Sequence, residues 1–376
     1  MNRPYRVLHV IDSLDLGGAQ VVLENLLAHA DRSRFSLETV CMHGRGVFWE
    51  RIKATKTPVH SLSFHHYFPS YVAGLIGLIV ARRYDIVHCH LLASNLIAKP
   101  IAACLGVPVR INHDHCNDKR ADPRRWTPAA DKWTNRFSTH VCAVSESTRA
   151  YLVEHEGVPS DRVTTIHNGV DLAIFRPRPE MRAAARARWN LPADAFVVGG
   201  IGRLTHQKNF ALFLEVAAQV LKKHPEARFV IAGTGEDELA LRAQAADLSL
   251  ADRLRLLGFV GDMTALYPAL DLLLLTSRYE GLPITILEAM AVGIPIVSSS
   301  LDGVLEILRD CEDAALAPSG DREGFSARVR ELIEQPALAR RYAEAALAKV
   351  RAHHSAQAMT RAVEAIYLKY LPKSVA

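Results

Sequence analysis

The stretch that decides the fold is Phe196-Val197-Val198-Gly199-Gly200-Ile201-Gly202-Arg203-Leu204-Thr205-His206-Gln207-Lys208-Asn209, followed by the apolar-periodic run Phe210–Lys223. A short β-branched run that passes through glycines into a helix-period segment reads as strand, tight loop and helix. The same alternation extends in both directions. Upstream, Val7–Ile11, Leu37–Cys41, Val59–Leu62, Ile86–His90, Val107–Asn112, Val141–Val144 and Val163–Ile166 read as strands. Helical patterns at Ala19–Ala30, Tyr71–Ala81, Ser94–Leu105 and Glu146–His155 separate them. Downstream, the strands are Phe229–Ala232, Leu254–Leu256, Leu272–Thr276 and Ile294–Ser298, with helices at Glu236–Leu248, Pro283–Val292 and Val304–Arg309. After Asp310 the pattern reads as helical to the end, closing in an amphipathic helix over Ser355–Leu371.

Such alternation predicts an α/β protein with parallel sheets covered by helices on both faces. There are too many strands for one comfortable open sheet. The Pro- and Arg-dense stretch from Phe175 to Leu191 breaks the pattern. The reading is therefore two doubly wound, Rossmann-like domains, residues 1–174 and 175–354, facing across a cleft at the carboxyl ends of their strands.

Composition narrows the classes. The 376 residues, 49% hydrophobic and 23% charged, exclude a disordered, collagen-like or coiled-coil chain. Six scattered cysteines without a C-x-x-C pair, and an N-terminus with no apolar export segment, predict a cytoplasmic location. The longest uncharged apolar run, Tyr67–Ala81, is too short to span a bilayer. A net charge of +5 is too small to imply nucleic-acid binding. The charge is concentrated between Lys119 and Phe137, where Lys119, Arg120, Arg124, Arg125, Lys132 and Arg136 are interleaved with Trp126, Trp133 and Phe137. That mixture suits peripheral contact with an anionic membrane, or a solvated helix with its two Trp turned inward.

The strand ends carry the chemistry. Gly202, Arg203 and Lys208, ahead of a helix N-terminus, fit an anion such as a diphosphate; the plainer reading is two surface charges on a loop. Leu272–Thr276 runs into Ser277-Arg278-Tyr279-Glu280-Gly281-Leu282-Pro283, then a helix bearing Glu288. Pro283 suits a first helical position, which leaves Glu280 at the mouth and Glu288 deeper. Carboxylates so placed accept hydrogen bonds from vicinal sugar hydroxyls. Gly258-Phe259-Val260 offers backbone and a ring to a planar base, or only a turn. Gly17 and Gly18 give a second, weaker glycine junction opposite the anion site. His88 with His90, and His113 with His115, share strand faces and suit a metal, a sugar hydroxyl or a satisfied place in the core. No ordered carboxylate beyond Asp114 lies near them, so no metal site is expected.

Taken in order, Gly17-Gly18, His113-Asp114-His115, His167-Asn168-Gly169-Val170-Asp171, Gly202-Arg203-Leu204 with Lys208, and Glu280 to Glu288 resemble the retaining glycosyltransferases of family 4, which have the GT-B fold. The Glu-x7-Glu stretch and the Asn-Gly-Val-Asp turn are its specific parts. The resemblance implies that Arg203 and Lys208 hold the donor diphosphate and that Glu288 holds the nucleotide ribose. It also implies that Glu280 with the Gly281–Leu282 backbone holds the donor sugar, and that His113, or His115 two residues on, meets the substrate. It implies a nucleoside-diphosphate sugar, by preference UDP-linked, as co-substrate, with no cofactor or metal required. The motif from Arg110 to His115 looks more like members that build capsular or exported polysaccharide than like starch or sucrose enzymes, and the basic Lys119–Phe137 stretch with the apolar run Tyr71–Ala81 suggests a lipid-linked or membrane-associated glycan acceptor. The final helix, 355–376, should pack back on the first domain, and the cleft should close when donor binds, with the region near Phe175–Arg178 and the segment before the last helix as hinges. The rivals are a sugar-nucleotide epimerase on the same fold, a non-catalytic binding subunit, and a dehydrogenase. The dehydrogenase is the weakest, because G-x-G-x-x-G does not follow Val7–Ile11.

Overall fold

The computed structural model describes residues 3–62, 68–115 and 127–372. The chain divides into two compact units, residues 1–169 with 356–376, and residues 170–355.

The first unit holds a seven-stranded sheet: β1 (Tyr5–Ser13), β2 (Phe35–His43), β3 (Val59–Ser61), β4 (Ile86–His90), β5 (Val109–Asp114), β6 (His140–Ala143) and β7 (Val163–Thr165). Its order is β3-β2-β1-β4-β5-β6-β7, with every pairing parallel. The two faces differ in chemistry because side chains alternate along a strand. Leu8, Val10, Val87 and Cys89 share an apolar core with Tyr71, Leu75 and Ile79 of the helix Phe68–Arg82. His9, His88 and His90 occupy the alternate positions and are fully buried. The last helix, Ala356–Tyr370, belongs to this unit. Tyr367 bonds His88, Tyr370 bonds His140, and Tyr367 meets Phe35 edge-on.

The second unit holds six strands: β8 (Val197–Ile201), β9 (Arg228–Ala232), β10 (Leu254–Gly258), β11 (Leu272–Leu275), β12 (Ile296–Ser299) and β13 (Ala315–Ala317). They run in the order β10-β9-β8-β11-β12-β13, again all parallel. The helix Phe210–Leu221 buries Phe213, Leu214, Val216, Ala217 and Val220 against this sheet. Each large apolar side chain removed from water contributes about 1.5–3 kcal/mol. Gly199 and Gly200 make the close packing feasible. A Cβ on Gly200 would stand 2.8 Å from the rings of both Phe210 and Phe213, and one on Gly199 would stand 2.4 Å from Leu270.

Two sequence expectations need correction here. The segment after Asp310 is not helical throughout, because β13 adds an edge strand beside β12. Three residues, Ala-Leu-Ala, carry too little β-branched character or periodicity to announce a strand. The helix expected at Val304–Arg309 is a single turn at Asp302–Leu305.

Candidate active site

Open parallel sheets bind ligands where the strand order reverses, outside the carboxyl ends of the strands. In the second unit that point lies between β8 and β11. The loop after β8 carries Gly202, Arg203 and Lys208, and the loop after β11 carries Glu280. The topology thus brings together residues more than seventy positions apart.

Lys208 Nζ donates to Glu280 Oε1 at 2.5 Å, and Ser277 Oγ donates to the same oxygen at 2.6 Å. The two charged side chains are 14% and 6% exposed, so the pair is largely withdrawn from water. The loops are tied at several further points. Gln207 Nε2 donates to the Tyr279 carbonyl at 3.0 Å, Arg278 N–H donates to the Gln207 carbonyl at 2.8 Å, and Thr276 Oγ1 donates to the Asn209 carbonyl at 3.0 Å. Ser299 Oγ at the end of β12 donates to the Ser277 carbonyl at 2.7 Å. Arg203 is exposed, and its side chain makes no hydrogen bond or ion pair among the described residues. One cation is therefore fixed by the loop opposite, and the other is free to meet an anion.

The glycine at 202 has a backbone reason. Its φ of +152° is unfavourable for a side chain, and its carbonyl would lie 1.8 Å from a Cβ on Gly233, at the end of β9. Glycine at both places lets the β8 and β9 loops close on each other. Leu204 N–H then donates to the Thr234 carbonyl at 3.0 Å. Asn209, left-handed at φ 52°, turns the chain into the helix Phe210–Leu221, whose first N–H groups lack intrahelical acceptors.

Glu288 is buried one turn into the helix Ile284–Val292. Tyr267 Oη donates to Glu288 Oε2 at 2.7 Å. Burial first, and the Glu288 charge second, hold the Tyr267 hydroxyl well above its ordinary pKa, so it stays a donor. Spacing gave no hint of Tyr267, because it comes from the turn Tyr267–Ala269 between β10 and β11. Ser277 and Ser299 were equally silent in the sequence. Gly281 and Leu282 are buried beside Glu280. Phe259 is 40% exposed on the loop after β10, with Val260 buried next to it.

In the first unit the strand order reverses between β1 and β4. Gly17 and Gly18 stand at the start of the helix Gly18–His29; Gly17 is extended, a conformation open to any residue. Asp12, which the sequence did not single out, caps the neighbouring helix Leu92–Cys104. Its carboxylate accepts from the N–H groups of Ala93 (2.9 Å) and Ser94 (2.6 Å).

His113 is completely buried, with both ring nitrogens lacking a hydrogen-bond partner. It stacks on His88, His90 and His115, and His9 adjoins the same group. Burial lowers the pKa of all five, to about 3 for His9 and for His115, so each ring is neutral at neutral pH. Residues 116–126, which include Lys119, Arg120, Arg124, Arg125 and Trp126, lie outside the described residues. Of the Trp-bearing basic stretch, Trp133 is 49% exposed, with the Arg136 guanidinium 5.0 Å from its ring centre. Trp133 is therefore not turned into the core.

Two parallel-sheet Rossmann-like units, each with functional groups at its topological switch, define the GT-B class of architecture. Residues 16–174 match the family model described as Glycosyltransferase Family 4, and residues 181–349 match Glycosyl transferases group 1. The lipopolysaccharide core biosynthesis mannosyltransferase LpcC of Rhizobium leguminosarum bv. viciae is 34% identical over 253 residues, 66% of this chain and 69% of that protein. The UDP-Gal:alpha-D-GlcNAc-diphosphoundecaprenol alpha-1,3-galactosyltransferase of Escherichia coli is 29% identical over 259 residues, 67% of each chain. A crystal structure of Anabaena HepE in complex with UDP-glucose superposes with a TM-score of 0.86 at 21% identity, covering 97% of this chain and 99% of that one. The chain belongs to glycosyltransferase family 4 and is a glycosyltransferase of GT-B type. No helix among the described residues is long and apolar enough to cross a membrane.

Proposed function

We propose that this glycosyltransferase moves a hexosyl group from a UDP-linked sugar to an acceptor hydroxyl, with retention of anomeric configuration, in the synthesis of a bacterial surface polysaccharide or lipid-linked glycan. The observation that carries the reading is the Lys208–Glu280–Ser277 cluster at the second sheet's switch point, with the unpartnered Arg203 on the same loop as Lys208. It supplies cations for a diphosphate beside a held carboxylate for sugar hydroxyls. In this reading Arg203 and Lys208 bind the diphosphate, Glu280 and the Gly281–Leu282 backbone bind the sugar, and Glu288, oriented by Tyr267, binds the ribose. Gly17, Gly18 and Gly202 border the phosphates, and Phe259 and Val260 border the base. His113 meets the sugar through a ring nitrogen that has no other partner. The names of the E. coli relative and of the HepE complex both contain UDP, which favours uridine.

No metal is needed if fixed cations stabilise the leaving diphosphate. Preorganised donors at a developing anion each contribute about 3–4 kcal/mol. As the bond from the anomeric carbon to the diphosphate breaks, the acceptor oxygen bonds the same face of that carbon, and its proton passes to the departing phosphate. In this reading Glu280, held at Oε1 by Lys208 and Ser277, binds sugar hydroxyls and is not a covalent nucleophile. A two-carboxylate retaining scheme would also need a free acid about 5 Å away.

The acceptor reading rests on surface chemistry. Ile76 and Val80, one turn apart on the helix Phe68–Arg82, are 37% and 57% exposed, and Trp133 is half exposed with Lys132 and Arg136 beside it. The lipid-diphosphate acceptor in the E. coli relative's name points the same way. The test is a panel of nucleotide sugars read by thermal shift, then turnover with lipid-linked glycan acceptors and NMR of the product. Stabilisation by a UDP-sugar and an anomeric configuration matching the donor are expected. An inverted product would remove the retaining mechanism, and epimerised donor in acceptor-free reactions would replace transfer altogether.

A further inference from the structure

The first unit contains a histidine cluster of which the proposed sugar transfer uses only His113. Five histidines from three adjacent strands lie on one face of its sheet: His9 on β1, His88 and His90 on β4, and His113 and His115 at the end of β5. In register, His9 pairs with His88 and Ile11 with His90, so His9, His88 and His90 converge at one point of the sheet. Nothing in the local sequence joins them, since His9 is separated from His90 by 81 positions.

We propose that His9, His88 and His90 form a binding site for a divalent transition-metal ion of the zinc class. One ligating nitrogen from each ring lies within 4.8 Å of the others. His9 Nδ1 and His90 Nε2 are 3.1 Å apart. Two ligands 2.0–2.1 Å from a tetrahedral zinc are about 3.3 Å apart, so little movement separates the present geometry from a bound one.

The outer contacts orient the same nitrogens inward. His88 Nδ1 is bonded to Tyr367 Oη at 2.5 Å, which leaves its buried Nε2 without a partner. His90 Nδ1 is bonded to His115 Nε2 at 3.2 Å, which leaves Nε2 toward His9. Metal-ligating histidines are held in this way, with the remote nitrogen pinned by an outer group. A small cavity lined by Leu26, Phe35, Leu37 and Val363 adjoins His9 and Tyr367.

The donor set selects the metal. Imidazole nitrogens without carboxylates suit zinc, copper, nickel or cobalt and do not suit magnesium or calcium. In a structural alternative the rings only fill the core: His9 Nδ1 and His90 Nε2 then satisfy each other, but the buried His88 Nε2 stays unsatisfied, at a cost of about 1–3 kcal/mol. The same strands carry Leu8, Val10 and Val87 on the opposite face, so apolar packing was open to this sequence and was not used here. The proposal is independent of the donor site in the second unit.

The experiment uses the full chain purified without a histidine tag. Metal content is measured after dialysis and reconstitution with zinc chloride, with magnesium chloride as the contrasting arm. Cobalt(II) replaces zinc to report coordination by its visible spectrum. One equivalent of zinc or cobalt per chain is expected, with the intense bands of a four-coordinate site and no response to magnesium. His9→Gln and His90→Gln should abolish binding, and the exposed His353→Gln should not change it. Should the ligand variants fail to fold, Tyr367→Phe removes only a hydroxyl and should weaken binding about 10–100-fold. Substoichiometric metal in the wild type, an octahedral aqueous-like cobalt spectrum, or full binding by His9→Gln or Tyr367→Phe would overturn the assignment.

Discussion

Replacing Lys208 with alanine tests the proposed donor site most directly, because that side chain has one task in the structure and a second, separable one in the proposed mechanism. It neutralises Glu280 at 2.5 Å, with both side chains mostly buried. In the proposed mechanism it also binds the diphosphate. Breaking a buried ion pair by removing one partner costs about 3–5 kcal/mol. Lys208 keeps some solvent access and Ser277 still bonds Glu280, so the stability loss should fall below that range. A hydrogen bond to a charged group contributes about 1.5–3 kcal/mol, which corresponds to a UDP affinity weaker by about 10–150-fold. Turnover should fall by about 10²–10³.

The control is Glu280→Gln, which removes the competing negative charge. It should leave UDP affinity unchanged or slightly tighter, while the advantage of UDP-sugar over UDP disappears. Isothermal titration of UDP and UDP-sugar with the wild type and both variants separates the tasks. If Lys208→Ala bound UDP within twofold of the wild type, the lysine would be only a counter-charge for Glu280, and the phosphate role would fail.

Other outcomes follow from the same geometry. Tyr267→Phe deprives buried Glu288 of a 2.7 Å donor. It should cost about 1–3 kcal/mol, lower Tm by about 2–10 °C and raise KM for the donor more than it lowers kcat; an unchanged KM would detach Glu288 from the ribose. Gly233→Ala would set a Cβ 1.8 Å from the Gly202 carbonyl at a φ of +149°. A loss of about 3 kcal/mol or more is expected in chemical denaturation, and a fully stable variant would show that the two loops do not need their close approach. His140 is held at a pKa of about 4, chiefly by burial, where it bonds Tyr370 and Thr164. Its folded pKa lies below the unfolded value of about 6.5, so the unfolded chain binds the extra proton. The stabilisation is complete above about 6.5 and is lost as pH falls toward 4, by at most about 1.4 kcal/mol per pH unit. Melting curves over that range should show a shallower decline in His140→Gln. Flotation with anionic and neutral vesicles should recover the protein with anionic lipid only, and Trp133→Ala should reduce recovery; indifference to both lipids would end the membrane reading.

The sequence by itself determined the class of fold and the main loops of the site. Alternating strand and helix periods are local properties, written in consecutive residues, and so are the turns that Gly202 and Pro283 impose. That is why Glu280 and Lys208 were legible as separate candidates. Their contact was not, because it depends on β8 and β11 being neighbours in the sheet, which no local pattern encodes. For the same reason Tyr267 stayed hidden behind Glu288, and β13 was too short to signal itself. His88 and His90 were visible as a pair on one strand face. Only the placement of β1 beside β4, with the last helix laying Tyr367 over them, turned two histidines into a three-nitrogen cluster with an outer partner. Periodicity sets which way a side chain points, and strand order sets what it meets.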